Sequence, residues 1–497
     1  MNRQLTRLAV VAVVLLGALV VGTTYWQTWA APGLADRQDN AVQRVAQFEI
    51  KRGLIYPSAE HPLFASDRVK HVKGQTLYFR RYPAGGLAAQ TVGYSTPGRS
   101  QAGLERSMND YLTGSNSNLN TVLSTTLDKL KGATVKGNDL VLTIDPKVQQ
   151  LAMSQLGARC GAVVALEPAT GKVLVLASTP TYDPNRIDKS GYLASLAHVG
   201  ENNCGGPLLN RATAGKFIPG STFKMVTAAA ALDTGKFTPD SQFYDPGYCT
   251  EYGKPVSNAG NPDQNGPEQF GHVNLVTGFE HSINSVFCNI GKQLGAATIL
   301  EYAKRFGFYS VPPLETPVNE RAASGLYTKN DKLFDPKHPE TEVDPGRLAF
   351  GQERLGVTPL QMAMVAAGIA NNGVIMRPYV VGKIVDSGGK TIQTTHPHQL
   401  GRAIKPETAA ALTSMMVLAV DSGTGTNARI PGVKVAGKTG TAETGIAHTN
   451  TTWFVCFAPA EAPRVAVAVV LERQHGFGGS IAAPIAKQVM QALLARR

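Results

Sequence analysis

A serine and a lysine three positions apart stand at the start of a predicted helix, in Pro219-Gly-Ser-Thr-Phe-Lys224. The Pro-Gly pair interrupts the preceding segment, and the alanine-rich run after Lys224 has high helix propensity. Ser221 therefore falls at a helix N-terminus, with Lys224 one turn further along the same face. A serine hydroxyl becomes an effective nucleophile when a neighbouring base takes its proton, and a lysine kept neutral can be that base. The spacing indicates nucleophilic catalysis.

Two further short patterns follow in the chain, Ser282-Ile-Asn284 and Lys438-Thr-Gly440, the second at the end of a predicted strand. Each alone is weak, because Ser and Asn are common in caps and turns and Lys and Thr are common at strand ends. Ser387-Gly-Gly-Lys390 shows how easily Ser-x-x-Lys recurs, and it lies in a predicted hairpin turn rather than on a helix. The three motifs together, in this order and on suitable helices and strands, indicate an enzyme that forms an acyl intermediate on its own serine.

A phosphate-binding loop is an alternative interpretation of part of the same sequence. Gly432-Val-Lys-Val-Ala-Gly-Lys-Thr439 fits the pattern G-x-x-x-x-G-K-T. That motif needs a strand before its glycine loop and a helix after it. Here residues 433–436 themselves look like the strand, and the residues after Thr439 are a poor helix start. Nucleotide binding is therefore not expected.

The elements around these motifs predict an α/β fold of the α+β type. Two strands are predicted early, at Gly161–Leu166 and Lys172–Ala177, and three late, at Val433–Ala436, Thr452–Phe457 and Arg464–Leu471. Helices fill the middle of the chain, and a last helix is expected from Ile481 to Ala495. Strands from both chain ends with helices between them predict an antiparallel five-stranded sheet flanked by helices.

The N-terminus predicts one transmembrane helix. Residues 8–35 carry no charge, Leu8–Gly22 is the most apolar part, and Trp26 and Trp29 follow at its outer end. Arg3 and Arg7 would keep the short N-terminus in the cytoplasm, so the remainder of the chain would lie on the extracytoplasmic side of the cell membrane. A cleaved signal peptide is the alternative, with small residues near Ala30-Ala31-Pro32, but the apolar run is long for one.

The domain expectation is a cytoplasmic tail at 1–7, a transmembrane anchor at 8–28, a small pedestal at 30–145 and a catalytic domain at 146–497. The net charge is +12 with scattered Lys and Arg residues, and no basic run interleaved with aromatic residues points to nucleic acid. The five cysteines form no Cys-x-x-Cys pair, so no metal site is expected. Cys456 lies in an apolar run and is interpreted as a core residue, and a disulfide among the others stays open.

With those motifs, the chain resembles the class B penicillin-binding proteins, the monofunctional peptidoglycan DD-transpeptidases. The resemblance covers nearly the whole length. Further matching residues are Arg52-Gly53, Gly103-Leu-Glu105, Asn210-Arg211, Gly351-Gln352, Thr358-Pro-Leu-Gln361, Gly437–Glu443 and Trp453-Phe454. The resemblance implies a serine β-lactamase/DD-peptidase-like domain that needs neither a metal nor an organic cofactor. One departure is Arg52-Gly-Leu-Ile-Tyr-Pro57, which lacks the usual charged residues after the isoleucine.

The resemblance also implies residue roles. Ser221 would attack the D-Ala-D-Ala carbonyl of a stem peptide, or a β-lactam, and Lys224 would take its proton. Ser282 would relay that proton to the leaving D-alanine, and Asn284 would hold the donor peptide's amide.

The third motif supplies the remaining implied roles. Lys438 would lend positive potential, and Thr439 would bind the substrate's terminal carboxylate, with Gly440 in the same binding region. The backbone N–H groups of Ser221 and Thr441 would form the oxyanion hole.

Several other functions share part of this sequence pattern. A β-lactamase would share the motifs but needs neither anchor nor pedestal, and a bifunctional enzyme has no room for a glycosyltransferase domain before residue 139. A DD-carboxypeptidase differs only in whether water or an amine resolves the acyl-enzyme, which sequence leaves open. A signalling sensor or a silent scaffold would need an added region or a lost motif. A multi-spanning membrane glycan polymerase is expected as partner by resemblance.

Overall fold

The fold is that of a computed structural model, which describes residues 2–25, 48–58, 62–72, 74–97, 101–115, 136–197, 199–200, 204–259, 268–443 and 449–496. The helices, in chain order from α1 to α15, are Asn2–Thr24, Ala89–Val92, Gly103–Ser107, Asn109–Thr113, Pro146–Leu156, Tyr192–Ser195, Lys224–Asp233, Leu275–Glu280, Asn284–Leu294, Ala296–Arg305, Pro339–Glu342, Pro345–Ala349, Pro359–Ala370, Pro406–Asp421 and Gly478–Leu494. The strands, from β1 to β19, are Ile55–Tyr56, Ser66–Val72, Gln75–Arg81, Asp139–Leu142, Gly161–Leu166, Val173–Thr179, Gln242–Asp245, Tyr248–Glu251, Lys254–Ser257, Gly271–Asn274, Gly325–Leu326, Leu355–Gly356, Val374–Met376, Val381–Val385, Thr391–Thr394, Gln399–Arg402, Ala436–Glu443, Asn450–Ala458 and Val465–Gln474.

The N-terminal helix α1 is suited by length and composition to a membrane. Its window Arg7–Thr24 has a mean hydropathy of 2.2, and none of it is buried against the rest of the chain. Among the described residues it is the one helix of this kind, which fits a membrane-anchored protein. The predicted outer aromatic residues Trp26 and Trp29, and the candidate cleavage site at Ala30-Ala31-Pro32, lie outside the described residues.

A five-stranded antiparallel sheet is the centre of the catalytic part, in the order β17-β18-β19-β5-β6. The two early strands and three late strands meet here, which confirms the predicted sheet built from both chain ends. Every residue of β5 is buried, because helices cover both faces. The pleat sends alternate residues to opposite sides, so Ala162 and Val164 pack in one core and Val163 and Ala165 in the other.

Helices on the two faces complete these cores. α13, buried almost throughout, packs on one face against β5 and β19. α15 packs on the other face against β18 and β19, and α5 lies beside it. Asp145 caps the N-terminus of α5, and its carboxylate accepts hydrogen bonds from the amides of Lys147 and Val148 at 3.0 Å each.

One strand boundary was predicted wrongly. The first of the three late strands was expected at Val433–Ala436, but β17 begins only at Ala436 and continues to Glu443. Ile430 and Val433 form an isolated bridge in the turn before it. Lys438-Thr-Gly440 therefore lies inside an edge strand rather than at a strand end, and the residues after Thr439 stay extended. This geometry also rules out the helix that a phosphate-binding loop requires.

The pedestal is linked to the catalytic part by a shared sheet. β4 pairs in parallel with β1 and antiparallel with β14, which pairs in turn with β15. Ser387-Gly-Gly-Lys390 lies in the turn between β14 and β15, as predicted for the second Ser-x-x-Lys pattern. A further strand pair among the described residues of the pedestal is the hairpin β2–β3.

Buried ions hold the pedestal together. Arg52 lies 3.0 Å and Arg80 2.6 Å from the carboxylate of Glu105, and all three side chains are at most 4% exposed. Arg80 also pairs with Asp67 at 2.9 Å. Two of the family-like residues, Arg52 and Glu105, thus form a buried ion pair far from Ser221 in the sequence.

The cysteines separate into one bonded pair and three thiols. Cys160 and Cys204 form a disulfide, which the sequence alone left unassigned. Cys249, Cys288 and Cys456 are free and buried. Cys456 is 0% exposed on β18, which confirms its prediction as a core residue.

Candidate active site

The predicted nucleophile lies on a tight turn at the start of a buried helix. Ser221 is part of a 3-10 turn, Gly220–Phe223, that continues directly into α7 at Lys224. Gly220 has φ +51° and donates its N–H to the carbonyl of Gly351 at 3.1 Å. A Cβ on Gly351 would lie 2.1 Å from the carbonyl oxygen of Gly220, so only glycine fits there. The family-like Gly351 therefore supports the turn that carries Ser221.

Lys224 is fully buried and brings the first two motifs together. Its Nζ donates to the carbonyl oxygen of Ser282 at 2.7 Å and to Oδ1 of Asn284 at 2.8 Å, and it lies 3.3 Å from Ser282 Oγ. A neutral amine has two N–H donors and one lone pair. The two close acceptors can use both donors, which leaves the lone pair to accept a proton from a hydroxyl.

Ser282 adopts a strained conformation between two helices. Its φ is +61°, the left-handed region that side chains other than glycine rarely occupy. It lies between α8 and α9, and the amide of Ile283 donates to the carbonyl of Gly278 at 2.9 Å. The turn directs both the carbonyl and the hydroxyl of Ser282 towards Lys224. Strain of this kind persists only where the surroundings over-determine it, and it is concentrated at functional sites.

Lys438 is the second buried cation of the site. Its side chain is 0% exposed, and its Nζ lies 5.6 Å from the ring centroid of Phe279. Burial lowers the pKa of Lys438 to about 7. Burial and then the charge of Lys438 lower the pKa of Lys224 well below its ordinary value. Lys224, whose pKa both burial and the charge of Lys438 lower, is therefore suited to act as the base, and Lys438 is suited to supply positive charge.

These two shifts predict a bell-shaped pH dependence for acylation of Ser221 by a penicillin. As pH falls through the lowered pKa of Lys224, the base becomes protonated and the rate falls. As pH rises above about 7, Lys438 loses the charge that attracts the penicillin carboxylate. The second-order acylation rate constant, measured by quenched mass spectrometry across the pH range in which the protein stays folded, checks both limbs. A rate that keeps rising well above neutrality would contradict the role of Lys438.

The third motif is held against the nucleophile turn. β17 is an edge strand, so alternate backbone N–H groups of the strand point away from β18. The carbonyl of Thr441 lies against Gly220, at 2.7 Å from where a Cβ would stand, so Thr441 and Ser221 are close in space. Thr439 exchanges a hydrogen bond of 2.6 Å with Thr424 through their hydroxyls. Gly440 joins them on the same strand.

Sequence reasoning missed a buried support of the Ser-x-Asn segment. Asp245 is 1% exposed, and its carboxylate accepts hydrogen bonds from the side chains of Asn258 and Ser285. Asn258 Oδ1 in turn accepts from the amides of Asn284 and Ser285 at 3.0 and 3.2 Å. The side chain of Asn258 thus satisfies the first amides of α9 and fixes Asn284. No spacing rule links residues this far apart, so the sequence offered no signal.

Other family-like residues hold the segment that leads to Ser221. Arg211 is 2% exposed, and its Nε lies 2.7 Å from the carboxylate of Glu472 on β19. Trp453 Nε1 donates to the carbonyl of Ile218 at 3.0 Å. Both contacts hold the segment that precedes Ser221 against the central sheet. The structure therefore brings all three motifs to one place beside the edge strand.

Comparison with known families gives two matches. Residues 161–491 match the family described as the penicillin binding protein transpeptidase domain. Residues 52–140 match the penicillin binding protein A dimerisation domain. The first match alone covers more than half of the chain.

Individual relatives match over almost the full length. The peptidoglycan D,D-transpeptidase PbpA of Mycolicibacterium smegmatis is 36% identical, with 99% of each chain covered. PbpA of Mycobacterium tuberculosis is 35% identical, also over 99% of each chain. The ceftriaxone acyl-enzyme complex of M. tuberculosis penicillin-binding protein A has a TM-score of 0.79 and 33% identity, covering 90% of this chain and all of that one. A D,D-transpeptidase domain from Eggerthella lenta has a TM-score of 0.74 and 32% identity, covering 90% and 98%.

Proposed function

Since this chain belongs to the penicillin-binding protein transpeptidase family, we propose that Ser221 is the nucleophile with which it crosslinks peptidoglycan stem peptides. The enzyme is a serine-type peptidoglycan D,D-transpeptidase that β-lactams acylate. The observation that carries the assignment of residues is the position of Lys224 Nζ, which contacts the Ser-x-Asn segment from one turn after Ser221.

The first half-reaction follows from these positions. Ser221 Oγ attacks the carbonyl of the penultimate D-alanine while Lys224 accepts the hydroxyl proton. The amides of Ser221 and Thr441 stabilise the tetrahedral oxyanion. As the C–N bond breaks, Ser282 passes the proton to the leaving D-alanine amine. The product is an ester between Ser221 and the stem peptide.

Substrate recognition uses the edge strand and the segment opposite. The terminal carboxylate of the donor peptide binds Thr439 beside Gly440, in the positive potential of Lys438, and Asn284 holds the peptide amide. In the second half-reaction an amine of a neighbouring stem peptide attacks the ester carbonyl and gives its proton to Lys224, which returns it to Ser221 Oγ as the ester C–O bond breaks. A new peptide bond forms, and Ser221 is regenerated as the free hydroxyl.

Placement at the membrane is part of the same proposal. The helix α1 anchors the chain by a single span, and the catalytic domain lies on the extracytoplasmic side, where D-Ala-D-Ala peptides are presented. The partner is a multi-spanning membrane glycan polymerase that supplies new strands. It would contact the unburied surface of α1 and the pedestal, whose hairpin β2–β3 exposes Val69 and Val72.

The first experiment is a time course of intact mass with a labelled penicillin, using the full chain in detergent. We expect one adduct per chain that lasts for many minutes and maps by peptide analysis to Ser221. Ser387→Ala, in the second Ser-x-x-Lys pattern, is the matched control and should label like the unaltered protein. An adduct that clears within seconds would indicate a β-lactamase, and a folded protein that forms none would indicate a silent scaffold.

The amine step needs its own measurement, because water can resolve the same ester. Incubation with a D-Ala-D-Ala stem peptide and an acceptor amine should yield crosslinked dimer in excess of the hydrolysed monomer. Release of the hydrolysed peptide alone, with acceptor present, would assign a DD-carboxypeptidase instead.

A further inference from the structure

Two of the free thiols and a carboxylate lie close together where strand β8 packs against α9, the helix that begins with Asn284. Cys249 and Glu251 lie on β8, and Cys288 lies on α9, one turn after Asn284. The Sγ atoms of the two cysteines and a carboxylate oxygen of Glu251 all lie within 4.8 Å of one another. Cys288 Sγ is 2.7 Å from Glu251 Oε1. All three residues are buried, at 8%, 6% and 0% exposure for Cys249, Glu251 and Cys288.

The surroundings enclose this cluster on a third side. Gly346, in α12, has no side chain, and a Cβ there would stand 2.3 Å from Glu251 Oε1 and 3.1 Å from Cys288 Sγ. The carboxyl group of Asp344, the N-cap residue of the same helix, is close enough to that of Glu251 to influence its pKa. Three separate elements therefore converge on the cysteine and glutamate atoms, with a second carboxylate at the edge.

We propose that Cys249, Glu251 and Cys288 bind a zinc ion, with the carboxylate of Asp344 at the fourth position. Thiolate and carboxylate ligands at about 2.3 and 2.1 Å from a tetrahedral zinc stand about 3.3 to 3.8 Å apart. Cys288 Sγ and Glu251 Oε1 are closer than this at 2.7 Å, and all three atoms lie within 4.8 Å of one another, so side-chain movements of about 1 Å would give the zinc geometry. Zinc in such a site is structural, because four protein ligands leave no open position.

The charges around the cluster suit a divalent cation. Two thiolates and two carboxylates exceed the charge of Zn²⁺ by two. Lys292, whose Nζ lies 2.9 Å from Glu251 Oε1 and 3.1 Å from the carbonyl of Thr250, neutralises part of the excess. Lys292 would hold the ligating carboxylate of Glu251 in position, as a residue behind a metal ligand commonly does.

A metal explains features that ordinary core packing does not. A buried thiol is usually surrounded by apolar groups, whereas Cys288 faces a buried carboxylate and a second thiol. Cys456 on the central sheet shows the usual surroundings of a buried thiol, since its neighbour is the sulfur atom of Met490 on α15. A Cys-x-x-Cys pattern does not mark this site, because its ligands come from a strand and a helix that are far apart in the sequence.

The site would act on the enzyme through α9. Zinc would tie that helix to β8, and the Nδ2 of Asn284, the first residue of the helix, donates to the carbonyl of Ser257 on the neighbouring strand β9. The metal is thus a positioning element for Asn284 rather than a participant in bond making. The proposal does not depend on the assigned reaction, because it rests on the cluster alone.

Metal stoichiometry tests the proposal directly. The full chain in detergent is stripped with a chelator under reduction, reloaded with zinc sulfate and desalted, and its zinc is counted by mass spectrometry. We expect one zinc per chain, and none with Cys249→Ser plus Cys288→Ser. Cys456→Ser is the matched control and should retain one. Glu251→Gln should lower the zinc affinity at least about tenfold, since losing even a supporting partner of a ligand has that effect.

Cobalt loading keeps the test decisive if the serine variants fail to fold. Co²⁺ on the unaltered chain should give a sulfur-to-metal charge-transfer band that zinc abolishes. A folded, reduced chain that takes up neither metal would overturn the proposal. So would zinc retained by the double variant, or a Cys249–Cys288 disulfide found by peptide mapping of protein isolated without reductant. Penicillin labelling of the same samples reports the reaction separately, so failure of either proposal can be told apart.

Discussion

Lys224→Met is expected to slow penicillin acylation of Ser221 by about 10²- to 10⁴-fold, the range for losing a general base. Methionine matches the buried stem of the lysine but cannot accept a proton. The variant also leaves the carbonyl of Ser282 and Oδ1 of Asn284 without their donor, which loosens the Ser-x-Asn segment. Ser221→Ala, which removes the nucleophile itself, should form no adduct at any time.

The pH profile separates the two effects of Lys224→Met. If Lys224 is the base, the acid limb of the acylation rate constant disappears in the variant, because no lysine at that place titrates. If Lys224 only positions Ser282 and Asn284, the slower variant keeps the acid limb, and the role as base is wrong. Lys390→Met, in the exposed second Ser-x-x-Lys pattern, is the matched control and should change neither rate nor profile.

Glu105→Gln is expected to destabilise the pedestal by about 3–5 kcal/mol, the usual effect of removing one partner from a buried ion pair. Glu105 is 0% exposed and is the anion between Arg52 and Arg80. Glutamine keeps the shape but leaves Arg52 buried without a counter-charge, while Arg80 keeps only Asp67. Urea unfolding with hydrogen exchange read on β2 and β3 measures the free energy of unfolding of this region.

A surface pair gives the matched comparison for Glu105. Glu301 and Arg305 form an ion pair one turn apart on α10, at 59% and 41% exposure. Glu301→Gln should change the free energy of unfolding by at most about 0.5 kcal/mol, because solvent screens exposed pairs. Equal small losses for both variants would show that the buried pair contributes no more than a surface pair.

The sequence predicted the parts of the molecule that depend on local pattern. Apolar alternation located the sheet strands, and Pro-Gly followed by alanines located the turn of Ser221. The predicted strand at 433–436 was wrong, because valines in a turn look like strand residues and β17 is rich in Gly and Thr. Strand propensity did not detect Ala436–Glu443, whose extended form is fixed by pairing with β18.

Contacts between segments that are distant in the chain could not be predicted from local sequence patterns. Asp245 at the end of β7 and Asn258 after β9 support Asn284 from two different segments, and Cys288 meets Glu251 only once α9 has packed on β8. The left-handed Ser282 is another example, since nothing in Ser-Ile-Asn demands that conformation. These features come from tertiary packing, which overrides local preference where the site needs it.

The sheet β1-β4-β14-β15 limits how this gene can exchange segments with its relatives. A crossover placed between pedestal and catalytic domain would join β4 of one parent to β14 of the other, and the register from Asp139–Val385 to Leu142–Val381 would have to match. A mismatched pair would leave an open strand edge that invites aggregation. Mosaic descendants should therefore have breakpoints before Lys51 or after Thr394, outside the span that contains this sheet, and rarely at the apparent domain boundary.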